Sequence, residues 1–196
     1  MKIAITGTMG SGKSQVLDYL KDKGFPTSNA DAVVDTLYRH DPVLIQQMVS
    51  LFSPSVLTDG VVDKRKLRED YFKDKSLMNQ ANDLIHRRVY TYIKELSLDQ
   101  QELIFFEVPL LFETNKQRAF DEVWFIHTSD DIRLHRLRKY RQMDWAEIEQ
   151  REQYHMKPLL KKFMSDVIIS NDANVEQLYK KIDQQLERIL HDFKQN

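Results

Sequence analysis

The residues with the clearest chemical content are GTMGSGKS, Gly7 to Ser14, which follow the apolar run Ile3, Ala4, Ile5 and precede a helical pattern carrying Val16, Leu17 and Leu20. They fit G-x-x-x-x-G-K-[ST] in full, in the strand-to-helix setting that gives the pattern its mechanism. Gly10 and Gly12 let successive backbone amides turn inward around a phosphate at the positive end of a helix. Lys13 is then placed to bridge the terminal phosphates of a nucleotide, and Ser14 to ligate Mg2+. Such a cradle serves kinases, hydrolases and switches alike, so what receives the phosphate has to be read elsewhere in the chain.

Two carboxylates have the right address for that role. Asp31 follows the short apolar stretch FPTS, Phe25 to Ser28, and so falls at the carboxyl edge of a sheet, the edge that carries the phosphate loop. There it can accept the proton of an attacking hydroxyl, hold a Mg2+ shell through water, or simply cap the helix it begins. Glu107 ends the run LIFF and can organise Mg2+ and water from a strand end, or be a strand-end charge reaching solvent.

Cations supply the complementary part. Arg133, Arg136, Arg138, Lys139 and Arg141 crowd a helix starting near Asp130 and Asp131. Such a run is either a solvated face or a lid whose arginines close over the transferring phosphoryl group and expel water; beside a phosphate loop the lid is the stronger reading. His86, at the expected end of a helix in DLIHRRV, is either structural or part of an acceptor pocket, as is Arg65 in DKRKLRE.

The elements that must position these groups alternate in period. Strand character marks Ile3 to Ile5, FPTS, ELIFFEVPLLF (102–112), EVWFIH (122–127) and DVIIS (166–170), with helical spacing over 13–23, 30–38 and the final stripe from Val175 to Phe193. Continuous apolar runs interleaved with helices predict a five-stranded parallel sheet covered on both faces. Residues 41–97 read as a helical insert, with patterns such as Leu67, Tyr71, Phe72 broken by FSPS and the turn-like TDG at 58–60.

At 196 residues the chain is one ordinary domain. A net charge of -1 argues against a nucleic-acid or membrane-surface partner, so anion binding has to be local. The absence of cysteine excludes disulfides, thiolate metal sites and thiol catalysis, and no apolar run approaches the ~18 residues of a membrane span. A cytoplasmic monomer without leader or membrane contact is expected.

Taken together the motifs resemble one family, dephospho-coenzyme A kinase, over almost the full length. ITGTMGSGKS resembles the family's TGGIGSGKST, and SNAD its DAD segment; DGVVDKRKLREDYF, DLIHRRV, EVPLLFE and SDVIISND are similar to its DG...R..L...F, HP, D-x-PLLFE and D-x-VIDN stretches. The resemblance implies an α/β P-loop kinase fold, a three-layer sandwich with a helical substrate insert at 41–97 and a lid at 133–160. It implies ATP as donor with Mg2+, and dephospho-CoA as the acceptor, phosphorylated on its 3′-hydroxyl to give coenzyme A. Gly10, Ser11, Gly12, Lys13, Ser14, Gln15 and Asn171 would hold ATP, with Ser14 and Glu107 at Mg2+. Asp31 would be the base, Lys13 and Arg136 would stabilise transfer, and Arg65, His86, Leu110 and Leu111 would meet the acceptor with Asp31. Thr8, Asn29, Arg87, Glu107 and His155 depart from the family's Gly, Asp, Pro, Asp and Gln. The alternatives are a related kinase of a nucleoside, nucleotide or sugar, and a nucleotide switch, for which the chain lacks an NKxD segment after its fourth strand.

Overall fold

The computed structural model describes residues 1–71, 75–96, 103–153 and 155–195. Phe72 and Glu102, which the sequence patterns included, lie outside them. In chain order the elements are β1 (Lys2–Gly7), α1 (Lys13–Asp22), β2 (Thr27–Asn29), α2 (Ala30–His40), α3 (Pro42–Phe52), β3 (Leu57–Thr58), β4 (Val61–Val62), α4 (Lys64–Tyr71) and α5 (Lys75–Leu96). After these come β5 (Ile104–Glu107), β6 (Glu122–His127), α6 (Asp130–Arg141), α7 (Trp145–Glu152), α8 (Pro158–Phe163), β7 (Val167–Ser170) and α9 (Val175–Gln195). The chain divides into two compact units, Met1–Ser28 with Glu102–Asn196, and Asn29–Gln101.

The first unit is an α/β layer structure around a five-stranded sheet of order β2-β5-β1-β6-β7. β1 runs parallel to both β5 and β6, and β7 parallel to β6. Central strands buried on both faces need apolar residues at every position, and Ile3, Ala4 and Ile5 are all completely buried. On one face Ile3, Ile5, Phe105, Trp124 and Ile126 pack against Val16 and Leu20 of α1 and the Leu178, Ile182, Leu186, Ile189 stripe of α9. Each such aliphatic side chain contributes about 1.5–3 kcal/mol by leaving water, so the stripe alone fixes α9 to the sheet.

The register brings the functional strand ends together. Ile5 pairs with Glu107 and Gly7 with Ile126, so the phosphate loop leaves β1 between the carboxyl ends of β5 and β6. The expected strand 102–112 stops at Glu107: Pro109 has no N–H for a ladder, and the chain turns, with Thr114 N–H donating to the Leu110 carbonyl at 3.1 Å and Lys116 N–H to that of Leu111 at 3.1 Å.

The second unit is helical, with α2, α3 and α5 packed on one another and a small β3–β4 hairpin, whose turn is the TDG segment. The insert expected over 41–97 lies inside it; the unit begins at Asn29 because α2 packs on α3 and α5. Asp41 ties its helices. Its Oδ1 caps α3 through Val43 N and Leu44 N, while Oδ2 takes Arg88 Nε at 2.6 Å and Nη2 at 2.5 Å. Among the described residues no helix is long and apolar enough to cross a membrane.

Candidate active site

Gly12 caps α1 in the left-handed region, φ 94°, and as a glycine it has no side chain with which to satisfy the first amides of the helix. Those N–H groups are left for a ligand, and the helix dipole makes an anion the natural one. The loop is pinned from behind. The Ser11 carbonyl accepts from Asn171 Nδ2 at 2.9 Å and from Thr128 Oγ1 at 3.1 Å. Because a peptide unit is planar and trans, fixing that carbonyl turns the Gly12 N–H to the opposite side. A Cβ on Gly12 would lie 2.3 Å from Asn171 Nδ2, so the residue is glycine for space as well as for φ.

Lys13 is buried behind the loop, its Nζ donating to the Thr8 carbonyl at 2.9 Å and the Gly7 carbonyl at 3.2 Å. Thr8 therefore serves through its backbone, and its φ is not positive, so the position makes no conformational demand for glycine. Burial pushes the Lys13 ammonium from 10.5 down to about 8; Glu107 opposes the fall, while Lys161 and Arg141 add to it. A buried cation short of negative charge, lying against an anion cradle, is a site prepared for phosphate. In the free protein kcat/KM for ATP should therefore fall as pH rises through about 8. Bound phosphate holds the proton on Lys13, so kcat at saturating ATP should persist to higher pH. Initial rates over pH 6.5–10 measure both; a kcat/KM flat to pH 9.5 would remove Lys13 from nucleotide capture.

Ser14 and Gln15 stand exposed on the first turn of α1, and Glu107 is half-buried at the end of the neighbouring β5. A serine hydroxyl and one carboxylate are hard oxygen donors of the kind Mg2+ takes, in the small number it takes when phosphates and water complete its shell. No group of three or more acidic, His or Cys side chains suited to a metal occurs among the described residues. The donors fit.

Three of the cations of α6 stand in different settings. Arg133 is buried in ion pairs with Asp130 at 2.6 Å and with Glu152, so it fastens α7 to α6 instead of reaching phosphate. Arg136, expected at the transferring group, is half-buried and donates through Nη2 to the Asn171 carbonyl at 3.1 Å. Arg141, which sequence reasoning left unassigned, is exposed at the end of α6, and its charge presses on Lys13. Asn171, expected to touch ATP, is 2% exposed and acts on the loop through Ser11. Leu111 is wholly buried in the core, leaving the half-buried Leu110 as the member of that pair open to a ligand.

The remaining expected residues belong to the helical unit. Asn29 Oδ1 accepts the Ala32 N–H at 2.7 Å and is the cap of α2. Asparagine caps as well as aspartate does, so this departure removes a charge and keeps the helix start. Asp31 is consequently not the cap; it is exposed in the first turn. Arg65 carries a guanidinium 87% exposed, with Asp63 3.7 Å away. His86 was expected at a helix end and lies instead in the middle of α5, half-buried, because Arg87 follows it where a proline would have interrupted the helix.

Sequence reasoning also missed Thr128, Glu113 and Lys161. Glu113 closes EVPLLFE, where its position alone assigns it nothing, and Lys161 is one lysine of the unremarkable run PLLKKF. Lys161 is wholly buried and pairs with Glu113 at 2.6 Å.

A family model described as dephospho-CoA kinase matches residues 1–177. A dephospho-CoA kinase of Fusobacterium nucleatum is 32% identical over 193 residues, covering 96% of this chain and 98% of that protein. Among solved structures, a Thermus thermophilus protein is 25% identical, with TM-score 0.78 and 96% and 97% of the two chains covered. A dephospho-CoA kinase from Campylobacter jejuni, 21% identical with TM-score 0.73 over 96% and 98%, has the same fold.

Proposed function

The chain belongs to the dephospho-CoA kinase family, and on that premise we propose that it transfers the γ-phosphoryl group of ATP to the 3′-hydroxyl of dephospho-CoA at the Gly7–Ser14 loop. It is a phosphotransferase of coenzyme A biosynthesis. The observation that carries the assignment of the loop is the left-handed Gly12 capping α1, with the Ser11 carbonyl held from behind by Asn171 and Thr128 and the buried Lys13 ammonium brought down to about 8.

Transfer is direct and in line. The 3′-oxygen attacks the γ-phosphorus, the bond to the β–γ bridging oxygen breaks, ADP leaves, and the hydroxyl proton passes to Asp31. Lys13 and the amides of Gly10 to Ser14 receive the β- and γ-phosphate oxygens, and Arg141 adds positive charge from the end of α6. Ser14 and Glu107 would hold Mg2+, which when bound neutralises phosphate charge. Arg65, His86 and Leu110 serve the acceptor. Little covalent chemistry falls to the protein, so positioning and electrostatics supply the rate. The reading extends to a cytoplasmic monomer binding neither nucleic acid nor membrane, in keeping with a net charge of -1 and the cysteine-free composition.

The test is acceptor-dependent ADP release across dephospho-CoA, nucleosides, nucleotides and sugars. Dephospho-CoA should exceed every other acceptor in kcat/KM by at least about 100-fold. A nucleoside or sugar used as well would redirect the assignment to a related kinase, and guanine-selective hydrolysis untouched by any acceptor would make the chain a switch.

A further inference from the structure

Helix α8 is inside out. Leu159, Leu160 and Phe163 are 76%, 51% and 89% exposed, whereas Lys161 is wholly buried. Packing alone would choose the opposite, since apolar groups gain by burial and an ammonium loses.

The buried ammonium has three donors and three partners. Lys161 Nζ meets Glu113 Oε1 at 2.6 Å, the Pro109 carbonyl at 3.2 Å and His155 Nδ1 at 3.5 Å. An ammonium cannot accept, so the histidine must be neutral with Nδ1 as acceptor; burial and then the Lys161 charge hold its pKa below the usual value, in agreement. Glu113 Oε1 also accepts the Met156 N–H at 2.7 Å, while Oε2 is buried with no partner among the described residues. The cluster thus joins two stretches of chain. Pro109 and Glu113 belong to the turn directly after Glu107, and His155, Met156 and Lys161 to the stretch running from the end of α7 into α8. A buried ion pair is weak evidence for stability, since apolar replacements of both partners are often neutral. Holding this one therefore needs another reason.

We propose that Lys161 is a positioning residue of the transfer reaction: through Pro109 and Glu113 it fixes the turn that follows Glu107 and ties it to the segment after α7. The orientation of the Glu107 carboxylate at the end of β5, and of Leu110 beside it, then depends on a contact made more than fifty residues away in sequence. This rests on the phosphoryl-transfer reading, within which Glu107 and Leu110 have their roles.

The decisive variant is Lys161→Met with Glu113→Gln, which removes both charges and leaves no buried ion unpaired. It should melt within a few degrees of the parent and bind a non-hydrolysable ATP analogue within about threefold, yet lose about 30-fold or more in kcat, the size of effect a displaced catalytic group produces. A folded double variant with kcat within threefold of the parent overturns the proposal. His155 gives a second measurement should that variant not fold. His155→Gln offers an amide oxygen to the same donor and should lose less than about threefold in kcat, whereas His155→Leu strands the donor and should lose about tenfold. Equal kcat in the two overturns the proposal as well. A parent protein showing no dephospho-CoA-dependent ADP release fails the functional reading itself, and the positioning role falls with it; a parent that transfers, with insensitive variants, fails the positioning role alone.

Discussion

Lys13→Met should lower kcat for transfer to dephospho-CoA by about 100- to 1,000-fold, the range seen when one preorganised donor is removed from a transition state. Methionine keeps most of the buried stem of the side chain and deletes the ammonium, so the variant isolates charge from volume. The reason for so large an effect is the state of the group before substrate arrives. Holding Lys13 at about 8 against 10.5 amounts to about 3 kcal/mol set against its charged form. That penalty is relieved when phosphate supplies the missing negative charge.

The lowered folded pKa also fixes the sign of the stability change. The folded pKa lies below the unfolded one, so between pH 8 and 10.5 the unfolded chain binds the extra proton and stability contributed by this site rises with pH. Below pH 8 the buried charge is destabilising throughout. Lys13→Met should therefore melt no lower than the parent at pH 7 while being inactive, and the difference between the two proteins should shrink from pH 8 to 10.5. Kinetics at saturating substrates and melting curves across that range check both halves; turnover within tenfold of the parent would defeat the phosphate-loop reading.

Why Lys13 could be found in the sequence and Lys161 could not is a matter of contact range. The phosphate loop is eight contiguous residues whose glycines, lysine and serine act on one ligand, so the pattern is local and complete in the chain. The sheet was equally readable, because strands buried on both faces must be apolar without interruption, as Ile3 to Ile5 and Phe105 to Phe106 are. The hairpin at 57–62 has two residues per strand, too few to show a period, and only its turn was visible. Asp31 was the cap the sequence suggested; the bond from Ala32 makes Asn29 the cap instead, an outcome that depends on backbone angles. Glu113 meets Lys161, and Thr128 meets Ser11, across 48 and 117 residues, and no spacing rule reaches that far. Arg133 illustrates the converse: its position in an arginine-rich run suggested phosphate, but Asp130 and Glu152 had already claimed it.

Asp31→Asn should cut kcat by about 100- to 10,000-fold, the contribution of a positioned general base, while leaving ATP binding within threefold. The substitution is close to isosteric, and the helix does not depend on the residue, since Asn29 supplies the cap and Asp31 stands exposed in the first turn of α2. What the carboxylate adds to the helix is its charge near the positive terminus, about 0.3–1 kcal/mol, so the melting temperature should fall only slightly. Structure and chemistry are thereby separable at this position in a way they are not at Asp41, where the carboxylate both caps α3 and holds Arg88. Steady-state turnover with dephospho-CoA, set beside binding of a non-hydrolysable ATP analogue, makes the measurement. A variant that turns over near the parent rate would free Asp31 of any part in proton transfer, and the base would then have to be sought among other groups that meet the acceptor.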